Sequence, residues 1–155
     1  MANSLRLEWQ YLARCLSRLA ASSPLNQTDI LTTVEAAVTL VEAGDPRTLG
    51  HSSEVAYIAL FIARRLGLSP QEQKNTRLAA LIHDIGKIKS EEYPGQHAVT
   101  GAQMIKHIPR LDDIANMVLF HHTRWQGAGS PASPAKAAIP LGARIIAVAD
   151  AFQKA

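Results

Sequence analysis

Apolar residues recur with helical spacing from the start of the chain. One predicted helical face carries apolar side chains at alternating steps of four and three positions, namely Leu5, Trp9, Leu12, Leu16 and Leu19. This face can pack on its own domain, or it can form a two-heptad seam that pairs two subunits. We therefore divide the chain into an N-terminal amphipathic helix, residues 1–24, for packing or homodimerisation, and a helical domain, residues 25–155.

Helix-starting and helix-ending residues define the next elements. A helix is predicted from about residue 27 to 43, where Gly-Asp-Pro breaks the pattern, and another begins near His51. Arg64 and Arg65 suit the last turn of that helix, and Gly67 suits a left-handed cap beyond it. Because helical patterns fill most of the chain, we expect an all-α fold, a compact helical bundle.

The four residues that follow Leu68 predict the start of a further helix. Ser69 and Glu72 have the spacing of a capping box, and Pro70 suits the first helical position. This helix is predicted to carry His83 and Asp84 at its far end.

Several potential metal ligands each close an apolar run. His83 and Asp84 follow residues 78–82, His121 follows residues 114–120, and Asp150 follows residues 145–149. Buried imidazoles and carboxylates without compensation would cost several kcal/mol or more each, whereas a divalent cation satisfies them together. The candidate metal ligands are His51, His83, Asp84, His97, His121, His122 and Asp150.

The residue types in this set narrow the metal chemistry. Imidazole nitrogen and carboxylate oxygen suit zinc, manganese, iron or nickel, and they do not choose among these ions. No cysteine lies near the candidates, which favours an open, water-bearing site over a structural zinc site. Taken singly, each residue has an ordinary interpretation: His51 could start a helix, and the His121-His122 pair could end one. The sixth histidine, His107, fits no pattern and is expected at the surface or at a helix end.

The composition of the chain indicates in which cellular compartment the site works and which partners it can have. The single cysteine, Cys15, excludes an intrachain disulfide and is compatible with a reducing cytoplasm. No run of about eighteen apolar residues indicates a membrane span, and the first residues lack the apolar centre of a secretory signal. The net charge of +3 would tolerate an anionic small molecule and does not by itself indicate a nucleic-acid polymer as partner.

From about Leu31 to Phe152 the chain resembles the HD superfamily of metal-dependent phosphohydrolases, and within it the HD-GYP branch of cyclic di-GMP phosphodiesterases. The resemblance is carried by several ordered motifs, which are residues 44–52, residues 79–87, His97 with Gly101, residues 121–131 and residues 139–152. It implies a buried dinuclear metal site in a cytoplasmic phosphodiesterase that acts on a phosphoester of a nucleotide, such as cyclic di-GMP.

The resemblance also implies roles for the candidate residues. Asp84 would bridge two divalent ions. One ion would contact His51, His83 and Asp150, and the other would contact His97, His121 and His122. Two such ions would activate water for hydrolytic phosphoryl transfer. Asp84 and Lys87 are the predicted catalytic residues, with Lys87 adding positive charge near the scissile phosphate, although a solvated lysine after a glycine turn is the plainer interpretation.

The segment after His122 is rich in glycine and proline and is predicted to be a loop at the mouth of the site. It could be a plain connector, or a substrate-facing flap in which Arg124 and Trp125 offer a charge and an aromatic face. Here the chain departs from the family: Ser130 replaces the tyrosine of the Gly-Tyr-Pro signature, Gln126 replaces an aspartate, and Thr123 replaces an acid.

Outside the loop, Arg47 stands where some relatives have a glutamate for a third metal, which favours two metals. Three functions of different class remain open at this point: a phosphohydrolase, a metal-containing signalling or ligand-binding module with weak turnover, and a helical interaction protein with a vestigial site.

Overall fold

The computed structural model describes Val38, Glu42 and residues 49–88, 96–106, 108, 110–127 and 134–155. The amphipathic helix predicted over residues 1–24 lies outside the described residues, and so do most of the helix predicted over 27–43, Arg47, His107 and Ser130.

Five α-helices have both ends within the described residues. They are α1 (His51–Arg65), α2 (Pro70–Leu81), α3 (His97–Ile105), α4 (Asp112–Phe120) and α5 (Leu141–Gln153). Two short 3₁₀ helices, Ile85–Ile88 and Lys136–Ala138, lie in the connections, and the described ranges contain no strand. The predicted all-α fold is confirmed. None of these helices is long and apolar enough to cross a membrane.

Local sequence signals determine where α1 ends and α2 begins. At the end of α1, Gly67 has φ 71°, its N–H donates to the carbonyl of Arg64, and the N–H of Leu68 donates to the carbonyl of Ala63. At the start of α2, the Ser69 hydroxyl accepts from the Glu72 N–H, and the Glu72 carboxylate accepts from the Ser69 N–H at 2.8 Å. Both caps confirm the predictions made from the sequence.

Apolar faces of the helices meet in one core. Helix α1 packs against α2 and α5, while α4 packs against α2, α3 and α5. Fully buried aliphatic side chains fill the space between them, among them Val55, Ile114, Val118 and Ile146. These packed helices provide a rigid frame, so the polar residues at their ends are held at fixed separations.

The 3₁₀ helix Ile85–Ile88 approaches α3 so closely that only glycine fits between them. A Cβ atom on Gly86 would lie 2.0 Å from the carbonyl oxygen of His97 and 2.6 Å from the amide nitrogen of Gly101. A Cβ on Gly101 would in turn lie 3.2 Å from the amide nitrogen of Gly86. The contact brings backbone against backbone, and it holds the start of α3 beside the turn that carries Asp84.

We expect Gly86→Ala to lower the free energy of unfolding by about 1–3 kcal/mol or more, because two backbone segments would have to separate. The matched control is Gly142→Ala, where the added Cβ would meet the flexible side chain of Met117. Urea unfolding of both variants checks the prediction. Equal losses in the two variants would contradict the close approach at Gly86.

Candidate metal centre

Seven polar side chains from five segments of the chain meet at one end of the helical core. One group contains His51, His83 and Asp150, and one potential ligand atom of each lies within 4.8 Å of the others. In this group the Nε2 atoms of His51 and His83 lie 3.3 and 3.7 Å from Oδ1 of Asp150. A set of two imidazoles and a carboxylate at this separation could hold a divalent ion.

The second group contains Asp84, His97, His121 and His122, again with one potential ligand atom of each within 4.8 Å of the others. The Nε2 atoms of His97 and His122 are 3.0 Å apart. The rings of His121 and His122 have their centroids 3.9 Å apart. The structure therefore brings together all seven residues that the sequence marked as candidate ligands.

Asp84 lies between the two groups. Its Oδ1 atom is 3.3 Å from Nε2 of His97, in the second group. Its Oδ2 atom is 3.3 Å from Nε2 of His83 and 3.7 Å from Nε2 of His51, in the first group. Each oxygen of one carboxylate thus faces a different set of imidazoles.

Two pairs of candidate ligands lie just past the ends of helices, close to the helix ends at which the sequence placed them. Helix α2 ends at Leu81, so His83 and Asp84 lie in the turn that follows it. Helix α4 ends at Phe120, so His121 and His122 also follow a helix end. At both helix ends an imidazole satisfies one of the last carbonyls: Nδ1 of His83 donates to the carbonyl of Ala80 at 2.7 Å, and Nδ1 of His121 donates to that of Val118 at 2.6 Å.

These backbone hydrogen bonds leave the other ring nitrogen available. With Nδ1 as the donor, Nε2 of a neutral imidazole carries the lone pair. The Nε2 atoms of His51, His83 and His121 and the Oδ1 atom of Asp150 are buried and make no hydrogen bond within the described part of the chain. Buried polar atoms without hydrogen bonds are costly, and divalent ions at the two groups would satisfy them. The donor set fits such ions.

Sequence reasoning missed two residues that hold His51 in place. Nδ1 of His51 donates to Oε1 of Gln153 at 2.7 Å. The buried carboxylate of Glu42 accepts from the N–H groups of Gly50 and Ser52, both at 2.8 Å, and so caps the start of α1. Gln153 is distant from His51 in the sequence, and Glu42 lies before the break that precedes α1, so neither contact follows from the spacing of residues.

The carboxylates of the centre are each paired with a lysine. Lys87 contacts Oδ2 of Asp84, and about half of its side chain is exposed. Nζ of Lys154 donates to Oδ2 of Asp150 at 2.6 Å, and this lysine is also half exposed. Lys87 was expected near the site from its spacing, whereas Lys154 was not identified, because no motif includes it.

The electrostatic environment differs between the two groups. Burial opposes protonation of His83, but the nearby carboxylates of Asp150 and Asp84 outweigh it and raise the pKa of His83 to about 9. The carboxylate of Asp84, with Oδ2 3.7 Å from Nε2 of His51, raises the pKa of His51. In the second group, burial lowers the pKa of His121 to about 3, and burial together with the neighbouring His97 lowers the pKa of His122. Without metal, protons therefore collect on the first group.

Both aspartates stay ionised in this environment. Burial alone would favour their neutral forms, but the nearby imidazoles of His51 and His83 hold the pKa of Asp84 far below its usual range. The nearby imidazole of His83 and the hydrogen bond from Lys154 likewise lower the pKa of Asp150. The centre thus keeps two negative charges at neutral pH, which is what cation binding requires.

The loop after His122 carries the residues predicted to contact substrate. Arg124 is exposed, and Trp125 has 52 % of its surface accessible. The guanidinium carbon of Arg144 in α5 lies 5.6 Å from the centroid of the Trp125 ring, a cation–π contact. The N–H of Lys136 donates to the carbonyl of Trp125 at 2.7 Å, so the two described ends of the loop are joined.

Comparison with known proteins identifies a family whose domain covers all seven candidate ligands. The HD domain family profile matches residues 48–155. The chain belongs to the HD domain family. The resemblance to HD phosphohydrolases predicted from the motifs is thereby confirmed, and the helical fold with its histidine and aspartate cluster is consistent with an HD domain that binds divalent metal.

Relatives of this HD domain act on different phosphodiesters. The chain is 40% identical over 107 residues to a ribonuclease Y of Fervidobacterium nodosum, a match that covers 69% of this chain and 18% of the relative. It is 33% identical over 129 residues to 3'3'-cGAMP-specific phosphodiesterase 1 of Vibrio cholerae (74% and 30% covered). It is also 33% identical over 129 residues to the cyclic di-GMP phosphodiesterase response regulator RpfG of Xanthomonas campestris (72% and 34%). The chain therefore spans about a third or less of these relatives.

Metal binding to the first group is expected to release a proton at pH 7. The pKa of His83 is raised to about 9, so a proton occupies the nitrogen that an ion would need, and affinity should rise as the pH increases toward 9. Calorimetric titration with Zn²⁺ in buffers of different ionisation enthalpy measures this release. His121→Gln should keep it, because His121 is already neutral at pH 7. Binding without proton release would contradict the raised pKa of His83.

Proposed function

We propose that this HD domain is a phosphodiesterase with two divalent ions, and that it hydrolyses a phosphodiester bond of a nucleotide, with a cyclic dinucleotide such as cyclic di-GMP as the first candidate. The observation that carries the proposal is the position of Asp84, whose two oxygens face two separate groups of imidazoles. One bridging carboxylate with imidazoles on either side is a suitable set of ligands for a pair of cations.

Each group supplies the ligands of one ion in this proposal. His51, His83 and Asp150 would hold the first, and His97, His121 and His122 would hold the second, with Asp84 shared between them. Iron, manganese, nickel and zinc all accept such ligands. When bound, divalent ions supply a Lewis acid for the phosphoryl oxygens and lower the pKa of water toward neutrality.

The remaining chemistry belongs to side chains of this chain. Asp84 is fully ionised, and the adjacent Lys87 ammonium, which is half exposed, donates to a non-bridging phosphate oxygen of the substrate. The buried rings of His83 and His121 exclude water from the inner side of the site, which strengthens every interaction between charges there. Substrate therefore enters from the side on which Lys87 and Lys154 are exposed.

The exposed loop provides contacts for the rest of the nucleotide. Trp125 lies three residues beyond His122 and presents an aromatic face on which a base stacks, while Arg124 provides a positive charge for a second phosphate. Contact with Arg144 holds the Trp125 ring in position. A substrate with bases and more than one phosphate fits this set of side chains.

RNA is the second candidate substrate, and one specific observation favours it: the relative with 40% identity is a ribonuclease Y. The cleaved bond is a phosphodiester in either case, and the same metal ligands would serve both. Cyclic dinucleotides come first because the motifs resemble the HD-GYP branch, and because the two phosphodiesterases of such molecules match a larger share of this chain, 74% and 72% against 69% for the ribonuclease Y.

The proposal is tested by metal analysis and hydrolysis assays on the wild type and Asp84→Asn. We expect about two ions per chain in the wild type and fewer in the variant, with kcat/KM reduced on the order of a thousand-fold or more. Cyclic di-GMP, 3'3'-cGAMP and a short single-stranded RNA are assayed side by side with Mn²⁺. Bound metal with no turnover of any phosphodiester would indicate a signalling or ligand-binding module, and no bound metal would indicate a vestigial site.

Stacking on Trp125 is tested by two substitutions. Trp125→Ala should raise KM for the cyclic dinucleotide about ten-fold or more, because loss of base stacking costs about 1–3 kcal/mol. Trp125→Phe keeps an aromatic face and should stay close to the wild type. Steady-state kinetics of both variants, with metal content measured as the control, check the prediction. A KM unchanged in Trp125→Ala would remove this residue from the substrate site.

A further inference from the structure

His51 has a hydrogen-bond partner on α5 that belongs to none of the motifs. Nδ1 of His51 lies 2.7 Å from Oε1 of Gln153, the last residue of that helix. Asp150, a candidate ligand of the same ion, lies three residues earlier on α5, so the two side chains project from the same side of the helix. One turn of α5 therefore carries both an acid beside Nε2 of His51 and an amide beside Nδ1.

The orientation of the Gln153 amide is determined by a second contact. Its Nε2 atom donates to Oε2 of Glu54 at 3.0 Å. A carboxylate oxygen can only accept, so the NH₂ group of the amide faces Glu54 and the carbonyl oxygen faces His51. His51, Gln153 and Glu54 thus form a chain of hydrogen bonds in which each side chain donates to the next.

This direction determines which nitrogen of His51 carries the proton. Because the amide oxygen can only accept, Nδ1 of His51 must be the donor, and the lone pair of the neutral ring is then on Nε2. Nε2 is the atom that lies 3.3 Å from Oδ1 of Asp150 and 3.7 Å from Oδ2 of Asp84. Unlike His83 and His121, which donate to backbone carbonyls, His51 depends on a side chain for this selection.

We propose that Gln153, oriented by Glu54, is a positioning residue that fixes the tautomer of His51 and so prepares its Nε2 atom to bind the first metal ion. The inference deepens the proposed function and rests on it. Partners of metal-bound histidines contribute about 10–100-fold to metal affinity in general. Since Gln153 and Glu54 are partly exposed to water, which can replace some of this hydrogen bonding, we expect a value near the lower end.

The test combines a spectroscopic and a thermodynamic readout on Gln153→Leu. In the metal-free wild type at alkaline pH, where the imidazoles are neutral, long-range ¹H–¹⁵N correlation spectra should show His51 with its proton on Nδ1. In Gln153→Leu the spectra should show a mixture of both tautomers. Calorimetric titration with Zn²⁺ should give an affinity for the first ion about ten-fold lower.

Three further variants separate positioning from folding. Gln153→Glu combined with Glu54→Gln keeps an acceptor beside Nδ1 without bringing two carboxylates together, and should restore the tautomer and most of the affinity. In Glu54→Gln the Gln153 amide can flip, because residue 54 no longer accepts only. The loss of Zn²⁺ affinity in this variant should be smaller than the loss in Gln153→Leu. Gln71→Leu is the matched control, because that side chain donates to Asn75 on the surface of α2, and it should behave as the wild type.

Two outcomes would overturn the inference. One is a His51 tautomer and a Zn²⁺ affinity in Gln153→Leu that equal those of Gln71→Leu. The other is a loss of affinity that the double variant Gln153→Glu/Glu54→Gln fails to restore although it and Gln153→Leu have wild-type unfolding curves. Failure of the proposed function is recognised separately, because it would appear as absent metal binding or absent hydrolysis in the wild type, while the tautomer is read without metal or substrate.

Discussion

The structure depends on one electrostatic constraint: several imidazoles and two ionised carboxylates share a space that is closed to most water. The buried Nε2 atoms of three histidines and one buried carboxylate oxygen have no hydrogen bond within the described ranges. A folded chain tolerates such a cluster when cations enter it, since each side chain then gains a partner. The two lysines paired with Asp84 and Asp150 offset part of the negative charge from outside.

The rest of the fold holds these groups at short distances. The close approach of Gly86 and Gly101 brings His97 to Asp84, and the imidazoles of His83 and His121 satisfy the carbonyls at the ends of two helices while directing their other nitrogens inward. Packing of α1 on α5 brings His51 beside Asp150. Caps, turns and core packing therefore all position the candidate ligands. We expect substitutions in any of them to lower the affinity for metal, even where the substituted residue is not a ligand.

Much of this arrangement is readable from the sequence, and the missing parts have two causes. The helix caps at Gly67 and Ser69 are local, so the residues themselves predict them, and the candidate ligands are marked by their positions after apolar runs. Glu42 and Gln153 escaped prediction because side-chain hydrogen bonds between separate helices leave no periodic signal. Lys154 was missed for another reason: it lies four residues after Asp150, a spacing that allows an ion pair on a helix, but no motif includes it. The amphipathic helix predicted over residues 1–24, for packing or dimerisation, stays a prediction, because it lies outside the described residues.

The most direct test of the account is a crystal structure of the Mn²⁺-loaded protein with anomalous scattering at the manganese edge. We predict two anomalous peaks on opposite sides of the Asp84 carboxylate, one beside His51, His83 and Asp150 and the other beside His97, His121 and His122. A single peak, or peaks away from Asp84, would contradict the bridging role of this carboxylate and with it the dinuclear centre.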